Sequence, residues 1–206
     1  MKRIHADFVN ALKAHRKGPA VGLALLLVVS GAHAQLVTNT WDGGDGSYQA
    51  WSTNANWAGD TAPSSDTNTV LVFQGSNNVG TEGTPLNQDI ANPMVVDSLQ
   101  FTNSTFYIGG GTLRVTPEAA ATGFYGFDGA GAHFANDIEL GADVGVRDAG
   151  GESTFTFDGD VDVNGHTLLL YDWYNSGQKM LTDFSGSIIG DTNSTINISG
   201  PAGQSI

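Results

Sequence analysis

Short runs of alternating apolar and polar residues recur along most of the chain and predict β-strands. The runs are rich in Val, Ile, Leu, Phe and Thr, and Gly, Asn and Asp separate them. A helix-like start at 117–126 is soon interrupted by Gly123 and Gly126. The sequence therefore predicts an all-β protein. The predicted strands are 69–73, 95–101, 105–109, 112–116, 137–141, 153–163, 167–171, 186–190 and 194–199.

Recurring phrases in these runs favour a solenoid. The phrase "GGGTLRV" at 109–115 resembles "VNGHTLLLY" at 163–171, and "FDGDV" at 157–161 resembles "FSGSI" at 184–188. The phenylalanines that open the second pair lie 27 positions apart, within the range of about 20 to 50 residues typical of solenoid repeats. Like side chains would then stack in successive coils, with Gly and Asn in left-handed backbone positions at the corners. An antiparallel β-sandwich is the alternative.

The N-terminus contains the three parts of a secretory signal peptide. Basic residues precede the apolar run "VGLALLLVV" at 21–29, and small residues then allow cleavage between Ala34 and Gln35. The run is shorter than the roughly 20 residues that a membrane span needs. We therefore expect a bacterium to export the protein, either to the medium or to its cell surface or outer membrane. We expect no membrane span in the mature chain.

The chain is accordingly divided into three regions. They are a signal peptide (1–34), an N-terminal cap region (35–75) and β-solenoid coils (76–206), which we expect to be incomplete at the C-terminus. A solenoid unit cannot bury its apolar face alone, so its terminal coils need caps.

Charge and cysteine content narrow the possible partners. The chain has 21 acidic and 8 basic residues, of which one acidic and five basic lie in 1–34, so the mature part carries a net charge of −17. Such a surface repels phosphate backbones, which argues against nucleic-acid binding. The chain has no cysteine, so its stability must come from backbone pairing and apolar stacking rather than from disulfides.

Segments near both ends resemble secreted bacterial proteins with autotransporter-associated β-strand repeats. "WSTNANW" at 51–57, Pro63 and "TNTVLVFQG" at 67–75 are similar to the start of those proteins. "FSGSIIGDTNSTINISGPAG" at 184–203 is similar to their Gly-x-Ile-x-Gly coils. The resemblance implies a right-handed parallel β-helix with a structural or adhesive role as a passenger segment at the cell surface. It implies no catalytic residues.

One stretch resembles part of a calcium-binding loop. In "DGDVDVNG" at 158–165, Asp160, Asp162 and Asn164 occupy the alternate positions that supply oxygen ligands. The glutamate that should complete the loop is missing. The same alternation fits a strand with its valines inward and its aspartates in solvent, followed by an Asn-Gly turn. We favour the strand and predict no cofactor, with calcium as the alternative.

The same aspartates also suggest a polysaccharide-degrading β-helix enzyme. Carboxylates two positions apart on a strand lie roughly 7 Å apart, within the range of about 5 to 9.5 Å found in glycosidases. Outward carboxylates also keep a strand soluble and discourage edge pairing. We therefore predict that the protein is not an enzyme and keep this activity as the second alternative.

Clustered aromatic residues suggest a carbohydrate-binding module as the first alternative. Trp51 and Trp57, together with Tyr171, Trp173 and Tyr174, lie among Asn, Asp and Ser side chains suited to sugar hydroxyls. The favoured interpretation of the two early tryptophans is that they seal the first coil of the solenoid. The expected partners are surface glycans or other extracellular proteins.

Overall fold

Parallel β-strands dominate the structure, a computed structural model that describes residues 34–46, 49–76, 78–119, 122–172 (for residue 172, the backbone alone) and 180–199. All of them belong to one structural unit, which begins at Ala34. Within these ranges the helical content is one 3₁₀ turn at Asn54–Asn56. No described helix has the length and hydrophobicity needed to cross a membrane. The strands are β1 (Val37–Trp41), β2 (Thr69–Gln74), β3 (Leu86–Gln88), β4 (Met94–Val96), β5 (Ser98–Thr102), β6 (Thr105–Gly110), β7 (Leu113–Val115), β8 (Thr122–Phe127), β9 (Gly131–Phe134), β10 (Ile138–Leu140), β11 (Val144–Asp148), β12 (Thr154–Phe157), β13 (Val161–Asp162), β14 (Thr167–Asp172), β15 (Leu181–Phe184), β16 (Ile188–Ile189) and β17 (Thr195–Ser199).

The strands form three parallel sheets. Sheet A has the order β1-β2-β5-β8-β11-β14-β17, sheet B has β3-β6-β9-β12-β15, and sheet C has β4-β7-β10-β13-β16. From β2 onward, each third strand returns to the same sheet, one position further along, so the chain winds as a β-solenoid of about five turns. The pairs between named strands are parallel in every described case. This topology confirms the predicted solenoid and excludes the antiparallel sandwich.

Like side chains stack from coil to coil on sheet B. Phe134, Phe157 and Phe184 stand in register on β9, β12 and β15. The ring of Phe157 stacks on its neighbours with centroid distances of 5.2 Å to Phe134 and 5.0 Å to Phe184. The repeat predicted from "FDGDV" and "FSGSI" is therefore a structural repeat, in which each phenylalanine starts the same corner.

The core consists of the inward side chains of the three sheets. Along β12 the burial alternates, with Phe155 and Phe157 buried and the threonines beside them partly exposed. The period of two is the one expected for a strand with one face on a core. Asn103 and Asn164 adopt φ values of 65° and 49° at corners, which confirms the predicted use of asparagine in left-handed positions.

Three tryptophans close the N-terminal end of the solenoid. Trp41, Trp51 and Trp57 are each no more than 1% exposed. Trp57 meets both other indoles edge-on at centroid distances of 5.2 and 6.0 Å, and all three rings contact Phe73 of the first complete coil. These rings cover the aromatic core of that coil, so the predicted cap is confirmed.

The cap and the coils share strands. The predicted boundary after residue 75 directly follows β2, and β1 and β2 both lie in the segment 35–75. Because β1 pairs with β2 and β2 with β5, that segment already supplies the first strands of sheet A.

Candidate functional site

Trp51 and Trp57, for which sugar binding is the alternative to the favoured cap, lie inside the cap. The indole N–H of Trp57 donates to the carbonyl of Trp51 at 2.7 Å, and that of Trp41 donates to the carbonyl of Asn78 at 3.0 Å. Both Trp51 and Trp57 are buried, so neither ring offers a face to a sugar in this structure. Trp173 and Tyr174 lie outside the described residues.

Tyr171, the remaining aromatic candidate, stands on the outer face of sheet A. It follows Tyr125 and Arg147 in one column of registered side chains. The guanidinium carbon of Arg147 lies 5.4 Å from the Tyr171 ring centroid, a cation–π arrangement. Burial raises the pKa of Tyr125 above its usual value, while the nearby charge of Arg147 acts in the opposite direction.

A shallow cavity of about 220 Å³ adjoins this column, lined by Tyr125, Arg147, Asp148 and Ala149. Asp148 is fully buried. Its Oδ1 accepts hydrogen bonds from Ser153 Oγ at 2.9 Å and from the backbone N–H of Gly150 at 3.0 Å. Its carboxylate thus holds the turn between β11 and β12, which is a structural task.

The calcium candidates lie at a corner and on the outer face of sheet C. The Oδ1 atom of Asp160 accepts a hydrogen bond from the N–H of Ser187 on the next coil at 3.0 Å. The Oδ1 atom of Asp162 accepts one from the N–H of Asn164 at 3.0 Å, and Asn164 Nδ2 donates to Leu140 O at 3.3 Å. These oxygens are engaged with the backbone, and no three His, Cys, Asp or Glu side chains of the described ranges converge as a metal site requires.

Asp162 belongs to a charged column on sheet C. It stands in register with Glu139, which in turn stands in register with Arg114. The Arg114 guanidinium and the Glu139 carboxylate form an ion pair. Since both side chains are partly exposed, the pair stabilises the fold only slightly.

A groove with a volume of about 260 Å³ lies on the outer face of sheet B. One wall is formed by Tyr107 of β6 and His133 of β9, which stand in register on adjacent strands. Their rings lie parallel, with centroids 4.7 Å apart and an interplanar angle of 8°. Thr156 continues this column on β12, so the aromatic stack ends at a small side chain.

A small residue lies beside the aromatic wall, since Ala135 of the lining directly follows Phe134 of β9. Gly109 holds the equivalent position after Ile108 and lies against Pro85 of the lining, because a Cβ atom there would come within 2.7 Å of the Pro85 ring. Glu82 and Asp158 are the acidic residues of the lining, which contains no Lys or Arg.

Sequence reasoning missed this groove. In the sequence, His133 has no second metal-binding side chain at a useful spacing, and Tyr107 falls within the predicted strand 105–109. The two lie 26 positions apart, so no local motif joins them. The available signal was the solenoid repeat itself, since aligning "FYIG" at 106–109 with "AHFA" at 132–135 by strand register brings the two rings together.

Comparisons of the chain with protein-family models, with curated proteins and with solved structures found no match.

Proposed function

We propose that the chain is an exported β-solenoid with a structural or adhesive role, secreted or displayed at the cell surface. The observation that carries this proposal is the unbroken coil-to-coil register of the three parallel sheets. Each coil bonds its backbone to its neighbours and stacks its core on theirs, so the solenoid holds its outer faces in fixed positions. Such faces suit a protein that presents contact surfaces.

Export is supported by the N-terminal segment and by composition. Residues 1–34 have the basic, apolar and small-residue parts of a signal peptide in order. The strongly acidic remainder favours solubility outside the cell. The resemblance of 51–57 and 184–203 to autotransporter-associated β-strand repeats supports the same location.

The proposal assigns no catalytic residue. The enzyme alternative rested on outward carboxylates, and Asp160 and Asp162 each accept a backbone hydrogen bond at a corner or turn. Their oxygens have a clear structural use. This use supports a non-catalytic role for the aspartate row.

Expression of the full chain in a bacterium tests export. We expect the exported protein to begin at Gln35 when its N-terminus is sequenced, and Leu26→Arg in the apolar run to block export. Leu12→Arg, outside that run, is the matched control and should be exported normally. Wild-type protein that stays in the cytoplasm and starts at Met1 would contradict the proposal.

Adhesion is tested with beads that carry the purified protein. We expect them to bind bacterial or host cells better than beads that carry the same protein after irreversible unfolding. Equal binding by the two preparations would remove the adhesive part of the proposal and leave a purely structural role, which predicts no specific binding.

A further inference from the structure

We propose that the groove on the outer face of sheet B binds a sugar ring that carries no acidic group. This inference rests on the adhesive role proposed above and gives that role a ligand class. The site differs from the tryptophan and Tyr171 candidates, since it is built by Tyr107, His133 and Thr156.

The aromatic wall leaves one ring face open to a ligand. Tyr107 and His133 continue each other across adjacent strands at a centroid distance of 4.7 Å, close to the spacing of roughly 4.8 Å between neighbouring strands. The next rung of the column holds Thr156 instead of a ring. The space above Thr156 is therefore a vacant rung in the stack, where the outer face of His133 can receive a flat apolar surface. The CH-rich face of a pyranose has this form.

The size of the groove matches a small ligand. Its volume of about 260 Å³ is slightly below the range of about 300 to 1,000 Å³ for pockets that enclose drug-sized ligands. Ala135 is the small residue of the lining beside the wall. The groove therefore suits one or two sugar rings of a longer chain.

Charge decides which sugars fit. Glu82 and Asp158 both line the groove, and the lining has no basic side chain. Asp158 already accepts a hydrogen bond from Ser185 Oγ through Oδ1, and a carboxylate has further acceptor sites for sugar hydroxyls. An acidic sugar would be repelled by these carboxylates and by the net charge of −17 after residue 34. An amino sugar, which is positively charged, would be attracted by both the carboxylates and the net negative charge.

The groove is formed by one loop and by strands that hold it in place. Residues 78–85 lead into β3 and supply Glu82 and Pro85 to one end of the groove, and Tyr107 N–H donates to Val79 O at 2.8 Å in the same region. The wall comes from the paired strands β6, β9 and β12. A site on strands is held more precisely than a site on loops alone.

Titration calorimetry of the purified full chain with three oligosaccharides tests the ligand class. The probes are oligomers of glucosamine, of glucose and of galacturonic acid, matched in length. We expect the glucosamine oligomer to bind most tightly, the glucose oligomer more weakly, and the galacturonic acid oligomer not at all. Absence of binding to both of the first two, or equal binding of the acidic oligomer, overturns the proposal.

Filling the vacant rung locates the site. Thr156→Tyr places a ring where the ligand should stack, and we expect affinity to fall at least about tenfold, the loss of one good contact. Thr154→Tyr is the matched control, because Thr154 lies on the same strand and the same face but outside the groove. This control should bind as the wild type does. Unchanged affinity of Thr156→Tyr overturns the inference.

The same variants separate this inference from the proposed function. If Thr156→Tyr beads still adhere to cells as well as wild-type beads, the groove is not the adhesive site and the inference fails while adhesion stands. If wild-type beads do not adhere but the glycan binding depends on Thr156, the sugar site stands and the adhesive role fails.

Discussion

At the scale of single residues, the cap depends on how each indole is placed. Trp51 and Trp57 are equally buried, yet their N–H groups differ. The N–H of Trp57 donates to Trp51 O, whereas the N–H of Trp51 has no hydrogen-bond partner among the described residues. A buried donor without a partner is unfavourable, and a satisfied one is favourable.

This difference predicts unequal effects of the same substitution. Trp57→Phe should lower the free energy of unfolding by about 1 kcal/mol more than Trp51→Phe, because only the former removes a hydrogen bond. Urea denaturation followed by far-UV circular dichroism measures both values. Equal losses, or a larger loss for Trp51→Phe, would show that packing volume alone determines the stability of the cap.

A second residue-scale prediction concerns Tyr125 at high pH. Burial raises the pKa of the Tyr125 phenol in the folded protein. In the unfolded chain this pKa is about 10, so the phenol there loses its proton at a lower pH. The free energy of unfolding should therefore be unaffected by this group below about pH 10 and should fall as pH rises through its folded pKa.

Tyr125→Phe provides the control, since it keeps the ring and cannot ionise. The difference in stability between wild type and Tyr125→Phe should be constant from about pH 7 to 9 and shift against the wild type above about pH 10. Denaturation curves at each pH measure it. A constant difference across the whole range would contradict the raised pKa.

At the scale of elements, the corners between sheets B and C keep adjacent coils in register. Asp137 Oδ1 accepts from the N–H of Asp160 on the next coil, and Asp160 Oδ1 accepts from the N–H of Ser187 on the one after, both at 3.0 Å. These bonds satisfy backbone donors that the short strands leave outside the sheet. The aspartates therefore act as oxygen acceptors, and their charge is secondary.

Substitutions at Asp160 test this role. Asp160→Ala should lower the free energy of unfolding by about 1 kcal/mol because the Ser187 N–H loses its acceptor. Asp160→Asn keeps an acceptor oxygen and should cost less than half as much. Thermal or urea denaturation measures the unfolding free energy of both variants. A larger loss of stability for Asp160→Asn than for Asp160→Ala would mean that the negative charge itself matters.

Glycine at the same corners permits close backbone contact between coils. A Cβ atom at Gly159 would lie 2.3 Å from Asn136 O, and one at Gly186 would lie 2.1 Å from Gly159 O. Real Cβ atoms do not approach backbone oxygen so closely, so both positions of the repeated phrase require glycine.

Gly159→Ala should therefore destabilise the protein by about 1 to 3 kcal/mol, the usual range for overpacking. Gly83→Ala is the matched control, since a Cβ there meets nothing within 4 Å, and it should stay within about 0.5 kcal/mol of wild type. Urea denaturation measures both. Similarly small losses of stability for both variants would show that the backbone at this corner shifts to accept a Cβ atom.

At the scale of the whole solenoid unit, the two described ends differ. The first coil is sealed by buried indoles, whereas Ile188, Ile196 and Ile198 of the last strands are 39%, 46% and 57% exposed. Ile138, in the same column as Ile188 two coils earlier, is 1% exposed. In a repeat fold, stability is the sum of each repeat and its contacts with neighbours, so the last coil should open most readily.

Hydrogen exchange measured by mass spectrometry tests this gradient. Peptides from Thr195–Ser199 and Leu181–Phe184 should exchange fastest, and peptides from Ser98–Thr102 and Val144–Asp148 slowest. The N-terminal strand Val37–Trp41, held by the cap, should be better protected than β17. Uniform protection from the first coil to the last would contradict the prediction.

The sequence identified the strands that carry strong apolar alternation or a clear repeat. It missed β1 and β3, and also β8, β9 and β11, where glycine interrupts the apolar run at Gly123, Gly131 and Gly145. Glycine lowers intrinsic strand preference, but in a solenoid the neighbouring coils on both sides supply the pairing. Tertiary stacking therefore makes strands of segments whose local preference is weak.

The sequence by itself determined the all-β class, the alternation of inward and outward side chains, the asparagine and glycine corners and the tryptophan cap. These depend on local backbone preferences and on the period of two. The tertiary structure alone decided which outward side chains meet, because coil length varies: Val70 pairs with Ser98, 28 positions later, but Phe124 pairs with Val146 after 22. Only the folded register places His133 against Tyr107 and leaves Thr156 as the open rung beside them.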